Sequence, residues 1–209
     1  MTSRLQRAGA ATMLAAALIL GGCSLTREAP VKQTFLLEPP LPPAVAKPQP
    51  YSVRVAAVNV AAPYRGRSFI YRVGDLRYET DFYVEFLVSP AAMFAEQTTR
   101  ALEAAHVFAR VVPPSSGQDA DATLEGFVSA LYADAKDNGA PIAAELAVTY
   151  YLTNTAAGAS TPSWSKEYKR RVELSQTTPA AYAAAQNRAF GEVLAELTRD
   201  LAALQPPKP

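Results

Sequence analysis

Leu76-Arg77-Tyr78-Glu79-Thr80-Asp81-Phe82-Tyr83-Val84-Glu85-Phe86-Leu87-Val88-Ser89-Pro90 contains the change of period that decides the fold. Up to Val88 the chain alternates. Leu76, Tyr78, Thr80, Phe82, Val84, Phe86 and Val88 share one side; Arg77, Glu79, Asp81, Tyr83, Glu85 and Leu87 share the other. That pattern predicts a half-buried strand, with a bend near Thr80-Asp81. Ser89-Pro90 then supplies an N-cap and a proline at N1. Beyond it the repeat becomes three and four. Met93, Phe94, Thr98, Ala101 and Leu102 form an apolar stripe opposite Glu96, Arg100 and Glu103, so a helix is expected to about Ala105.

Upstream, Tyr51 to Val60 is apolar on both faces and predicts one central strand. Ala61 to Arg67 reads as a loop and Phe69 to Val73 as the next strand. Gly74-Asp75 predicts a two-residue type II′ turn. Downstream, Val107 to Val112 is a short strand. Ala120–Tyr132, Ala143–Leu152 and Trp164–Leu174 are three further strands, most simply an antiparallel meander. Leu124, Gly126, Val128, Ala130 and Tyr132 are expected on one face of the first of them. Thr178-Pro179 opens a closing helix with Tyr182, Phe190, Val193, Leu194, Leu197, Leu201 and Leu204 on its packing face. The expected fold is α+β: a single domain over residues 51–205, with a mixed, mostly antiparallel sheet and two main helices packed on it.

Ahead of that domain, Thr34 to Glu38 predicts a short strand. Pro39, Pro40, Pro42, Pro43, Pro48 and Pro50 predict an extended, helix-poor linker. The start of the chain has a different character. Arg4 and Arg7 precede the apolar run Met13 to Leu20, and Leu20-Gly21-Gly22-Cys23 follows directly. The run is too short to span a bilayer core of about 30 Å as a helix. The order of features resembles a bacterial lipoprotein signal peptide over residues 1–22, and the resemblance implies cleavage before Cys23 and lipidation of its thiol. Two or more acyl chains, such as palmitate, give firm membrane attachment. Ser24, where Gram-negative lipoproteins kept in the inner membrane usually carry aspartate, resembles an outer-membrane address, and that resemblance implies a domain on the periplasmic side. Cys23 is the only cysteine, so no disulfide within the chain is possible. Twenty Lys and Arg face nineteen Asp and Glu; without Arg4 and Arg7, eighteen remain. A near-neutral domain has no general electrostatic reason to bind nucleic acid.

Residues with catalytic spacing are scarce. His106 is the only histidine and reads as a helix terminator or a surface residue. The sequence contains no P-loop, nucleophile elbow or Gly-x-Gly-x-x-Gly, and no zinc ligand set, so neither an enzyme nor a cofactor or metal site is expected. Asp119 with Asp121, and Asp134 with Asp137, read as solvated turn residues. Tyr64, Arg65, Arg67, Tyr71 and Arg72 interleave aromatic and guanidinium groups around two strands, with Arg54, Tyr51 and Phe69 nearby. They are candidate partner contacts, suited to a lipid headgroup, a carboxylate-bearing partner or an intersubunit surface. Lys166, Lys169, Arg170 and Arg171 form a second basic stretch that reads as an exposed strand face.

Several stretches in order carry a resemblance. They are Thr34-Phe35-Leu36-Leu37 after Cys23, Val53-Arg54-Val55 before Ala62-Pro63-Tyr64, Phe69-Ile70-Tyr71-Arg72, Leu76-Arg77-Tyr78-Glu79, and the aromatic approach to Ser89-Pro90 and Met93. Together they resemble the ABC-type transport auxiliary lipoprotein component family, which includes the PqiC lipoproteins. Phe86 stands where family members often carry tryptophan. The resemblance implies a lipoprotein that accompanies an MCE-type ABC transport system moving lipids between membranes. It implies an MCE-domain protein and an ABC permease and ATPase as partners, and a homo-oligomeric ring as an assembly. Its role would be docking or positioning. Alternatives are an LptE-like outer-membrane lipid assembly factor, a lipoprotein that binds lipid or a small ligand, and a periplasmic hydrolase.

Overall fold

A computed structural model describes residues 30–135, 139–155 and 162–206. From Lys32 onward the chain forms one compact unit. Its strands, among the described residues, are β1 (Gln33–Phe35), β2 (Gln49–Val55), β3 (Asn59–Val60), β4 (Ser68–Arg72), β5 (Tyr78–Phe86), β6 (Phe108–Val112), β7 (Ala122–Asp134), β8 (Ala143–Asn154) and β9 (Trp164–Glu173). The helices are α1 (Pro90–Ala104) and α2 (Pro179–Ala203). The expected α+β architecture is present: one mixed sheet with two helices packed on it. The long ladders β7–β8 and β8–β9 are antiparallel.

β7 is the spine. One edge carries β8 along its whole length. The other is lined by three short strands in turn, β2 at Ala122–Leu124, β3 at Phe127–Val128 and β4 at Ala133–Asp134, all parallel to it. β6 extends the sheet beyond β2, and β5 then β1 extend it beyond β4. The segment expected as one strand from Tyr51 to Val60 is therefore two. Ala56 N–H donates to Leu124 O at 2.9 Å and Ala61 N–H to Val128 O at 2.9 Å, so five steps on one strand match four on the other. The surplus residue is taken up where Val58 folds over Gly126. A Cβ at Gly126 would stand 3.0 Å from Val58 Cγ2 and 3.2 Å from Tyr150 Cε1, which is why glycine suits the spine there.

A second correction concerns faces. β7 slips register between Val128 and Ala130, and afterwards Leu131 pairs with Leu146 and Ala133 with Ala144. The bulge exchanges the two faces, so Leu131 joins the core in the position expected for Ala130. A third concerns the β4–β5 connection. It runs from Val73 to Arg77, closed by Val73 N–H on Arg77 O at 2.9 Å. Gly74 does not adopt a positive φ, so the connection is not type II′.

Both helices start as their sequences predict. Ser89 Oγ accepts from Ala92 N–H at 3.4 Å, and Thr178 Oγ1 from Ala181 N–H at 3.2 Å. His106 ends α1 at φ 50°, exposed. Its N–H donates to Glu103 O and that of Val107 to Leu102 O, a Schellman closure with histidine where glycine is usual. Phe94 and Phe190 join the two helices at 4.2 Å between ring centroids. Tyr150 Oη and Thr98 Oγ1, 2.7 Å apart, tie α1 to β8.

The proline-rich stretch is strapped to the helices. Leu37, Pro39 and Pro42 are buried, and a Cβ at Gly191 of α2 would come 3.1 Å from Pro40 Cδ. Val45 N–H donates to Ala105 O at 2.8 Å. Gln49 Nε2 donates to Leu201 O at 3.0 Å and Leu204 O at 2.8 Å, satisfying carbonyls at the end of α2.

Candidate functional site

The aromatic and basic residues singled out between Tyr51 and Arg72 do not form one surface. Pro63 opens a single 3₁₀ turn, Ala62–Tyr64, which turns the Tyr64 side chain inward. Tyr64 is only 8% exposed and stacks on Tyr132 at 6.0 Å. Burial, and after it Tyr78 close by, pushes its hydroxyl above the ordinary tyrosine range. Arg65 is exposed, its Nε donating to Val60 O at 3.0 Å. Arg67 bonds Leu87 O at 3.1 Å and pairs with Glu85 at 2.9 Å. Tyr71 is half-buried and donates to Asp81 Oδ2 at 3.2 Å. Arg54 is turned toward the 113–119 loop, donating to Ser116 O at 2.6 Å and to Gln118 O. Phe69 is a core residue, 4.7 Å from Phe86 and 4.8 Å from Tyr182 between ring centroids.

Arg72 belongs to an internal charge cluster. It lies over the Tyr132 ring at 5.1 Å and pairs with Asp134 at 3.0 Å. Arg171 reaches the other oxygen of Asp134 at 2.7 Å and also Glu145. The bond to Asp134, and then that to Glu145, holds the Arg171 guanidinium above its ordinary range. Asp134 is 6% exposed, so its reading as a solvated turn residue is overturned. β7 runs two residues further than expected and carries Asp134 into the sheet; Asp137 lies outside the described residues. Asp121, by contrast, stays exposed at a bend just before β7, as expected of a turn residue. Its Oδ2 accepts from Ser52 N–H at 2.8 Å and Ser52 Oγ at 2.7 Å, which keeps the carboxyl below the ordinary aspartate range.

The second basic stretch divides by strand parity. Lys169 and Arg171 face outward, whereas Lys166 and Arg170 point at α2. Lys166 pairs with Glu196 at 2.8 Å and Asp200 at 2.7 Å; Arg170 pairs with Glu192 at 3.1 Å and also with Glu196. Bonds from Lys166 and then Arg170 hold the Glu196 carboxyl below its ordinary range. Sequence alternation carried the parity. The acidic stripe of α2, Glu192, Glu196 and Asp200 at spacings of four, was the unused signal.

Open clefts flank the domain. One, of about 580 Å³, is lined by Ser52, Arg54, Arg110, Asp121 and Thr123. Another, of about 570 Å³, lies between α1 and Pro113-Pro114, its lining including Ala91, Ala92, Ala95, Glu96 and Arg100. No group of three or more His, Cys, Asp and Glu able to hold a metal is found among the described residues. No described helix is long and apolar enough to cross a membrane. Cys23, the candidate lipidation residue, lies outside the described residues.

The most conspicuous surface was missed. β4 and β5 pair Ser68 with Glu85 but Ile70 with Thr80, so β5 throws out a bulge across Asp81–Val84. Asp81 Oδ1 accepts from Tyr83 N–H at 2.8 Å and Val84 N–H at 3.0 Å, which fixes it. Phe82 is 83% and Tyr83 43% exposed, their rings edge-on at 5.2 Å. Leu76, at the turn of the same hairpin, is 96% exposed.

The architecture is shared with solved structures at low identity. A protein from Xanthomonas campestris, XCC0632, described by family model DUF330, is 20% identical with a TM-score of 0.69, over 79% of this chain and 92% of that one. An uncharacterised protein is 13% identical with a TM-score of 0.64, over 82% and 99%. The hypothetical protein CT253 from Chlamydia trachomatis is 11% identical with a TM-score of 0.50, over 74% and 99%. At these identities the likeness is one of fold. No protein-family model matches the chain, and neither does any curated protein.

Proposed function

We propose that the chain is a non-enzymatic lipoprotein of the outer membrane, anchored through Cys23 with its domain on the periplasmic side. In this reading it is the auxiliary component of an MCE-type ABC transport system that moves lipid between membranes. It acts by docking and positioning, in contact with the MCE-domain protein and so with the permease and ATPase, and it assembles as a ring of copies. The observation that carries the reading is the ordered run Arg4, Arg7, Met13–Leu20 and Leu20-Gly21-Gly22-Cys23, which ends nine residues before Lys32, where the compact unit begins. Anchoring raises the local concentration of a contact surface and removes most of the search. Charged side chains tie elements of the fold together, at Asp134 between β4, β7 and β9 and at Glu196 and Asp200 between α2 and β9, which suits a scaffold better than a reaction centre.

Crosslinking in native membranes, followed by identification of the partners, tests this. An MCE subunit among the products supports it; a barrel protein without one replaces it with the LptE-like reading. Arg65→Glu is the matching variant, because Arg65 is exposed and reverses charge without entering the core. It is expected to weaken the crosslink several-fold with folding intact, and an unchanged crosslink removes this loop from the interface. Tyr64→Ala serves poorly, since it empties a buried stack.

A further inference from the structure

We propose that the Phe82–Tyr83 bulge of β5 is a bilayer contact that seats in the interfacial zone of the anchoring membrane and sets which side of the domain faces it. The inference rests on the reading of Cys23 as the anchor point.

Three observations carry it. The first is the surface itself. Phe82 leaves most of its ring in water, edge-on to Tyr83. Taking such a ring out of water is favourable. A phenyl ring beside a phenol matches the interface, apolar at one end and wet at the other. The bulge is also braced, by Asp81 on two backbone N–H groups and by the Tyr71 hydroxyl on Asp81, so it presents the rings rather than trailing them.

The second is where the chain enters the domain. β1 runs parallel to β5 with Gln33 level with Val84, and Lys32 Nζ lies 2.9 Å from Glu85. The chain arriving from Cys23 therefore joins the fold at the level of the bulge. Nine residues reach at most about 30 Å. A domain of this length is roughly 40 Å across. A tether shorter than the domain favours the side that carries Lys32, and Phe82 is on that side.

The third is charge. Lys32 and Arg67 both pair with Glu85, and Asp81 is held on the bulge's own backbone N–H groups. The local sum is near zero, so no surplus negative charge opposes approach to anionic headgroups.

The chain has one tryptophan and one cysteine, which makes the test direct. Full-length protein carrying Phe82→Trp and Trp164→Phe is purified from cell membranes and reconstituted into phosphatidylcholine–phosphatidylglycerol vesicles. Mass spectrometry reads its acyl mass. If the acyl group is absent, the anchoring reading fails, and the free Cys23 thiol is coupled to a maleimide lipid so that the contact is still measured. Indole emission from the Phe82→Trp protein is expected to shift to shorter wavelength. It is also expected to be quenched several-fold more by acyl-chain bromolipid than that of a Glu103→Trp probe on the outward side of α1. Equal and weak quenching at both positions overturns the proposal, whatever the state of Cys23. So does a shift that grows with protein concentration without vesicles, which assigns the surface to a second copy. If Trp164→Phe disturbs folding, Trp164 is kept and the difference from the tethered parent protein is read.

Discussion

β9 and β5 look alike in sequence and behave in opposite ways. Each alternates over about ten residues. β9 keeps its alternation: Tyr168 is buried, Lys166 and Arg170 meet the acids of α2, and Glu167, Lys169 and Arg171 face outward. β5 keeps it only from Val84 to Phe86, where Val84 and Phe86 are in the core. From Tyr78 to Tyr83 the same apolar residues stand largely in water, Tyr78 with its ring edge-on to Tyr132 of β7 at 5.7 Å. Alternation says which residues share a face. Whether that face is covered depends on how far the helix beneath it reaches, which is a long-range property. α2 runs under β8 and β9, and its Tyr182 end meets β4 at Phe69 and Tyr71, with Phe86 of β5 packed against Phe69.

The covered end of the hairpin should therefore be the sensitive one. Phe69→Ala removes a fully buried ring that touches Phe35, Phe86 and Tyr182. It is expected to lower stability by about 3–5 kcal/mol, read from denaturant midpoints with an unchanged slope. A loss under about 1 kcal/mol would mean that the buried and exposed halves of the hairpin are not distinct. Asp134→Ala should come next, at about 2–3 kcal/mol. It leaves Arg72 and Arg171 facing each other, and their partial exposure holds the loss below that of a fully buried pair. Replacing Arg171 as well should recover part of it, in a double-mutant cycle.

The same contrast marks what the sequence could and could not disclose. Caps, periods and the meander were legible because they are local: Ser89-Pro90, Thr178-Pro179 and the β7–β9 alternation each needed a dozen residues or fewer. The break at Ala56–Val58 was not, because its cause is Gly126, nearly seventy residues on. The exchange of faces after Val128 was hidden likewise, since a bulge is a property of two strands. At the candidate site, the clustering of Tyr64, Arg65, Arg67, Tyr71 and Arg72 in sequence did not survive as a surface. Pro63 turned Tyr64 inward and Asp134 claimed Arg72. The alternation placed Phe82 on the apolar face with Val84 and Phe86 and Tyr83 on the opposite, polar one, and so gave no sign that the two rings meet at the surface.

The covered side makes a pH prediction of smaller size. In the folded protein Glu196 is held below the ordinary glutamate range by Lys166 and Arg170. Its contribution is therefore present above the unfolded glutamate pKa and is lost as pH falls through the lower, folded value, where the unfolded chain binds the proton first. Glu196→Gln should be less stable than wild type near neutrality, and the gap should close as pH falls below the ordinary glutamate range. Urea midpoints across that range check this; a gap that stays constant assigns the loss to packing rather than charge.

Phe82→Ser should do least to the fold. The ring is 83% exposed, and the bulge beneath it is held by Asp81 through backbone N–H groups that do not depend on residue 82. Surface changes away from caps, cavities and ion pairs fall within about ±0.5 kcal/mol, and here the ring contact forfeited is that with Tyr83. Sequence alternation alone predicts the opposite, because Phe82 shares its register with Val84 and Phe86. The thermal midpoint decides between them. A shift comparable to that of Phe69→Ala would mean that the hairpin is packed along its full length; an unchanged midpoint leaves the aromatic pair free for contacts outside the domain.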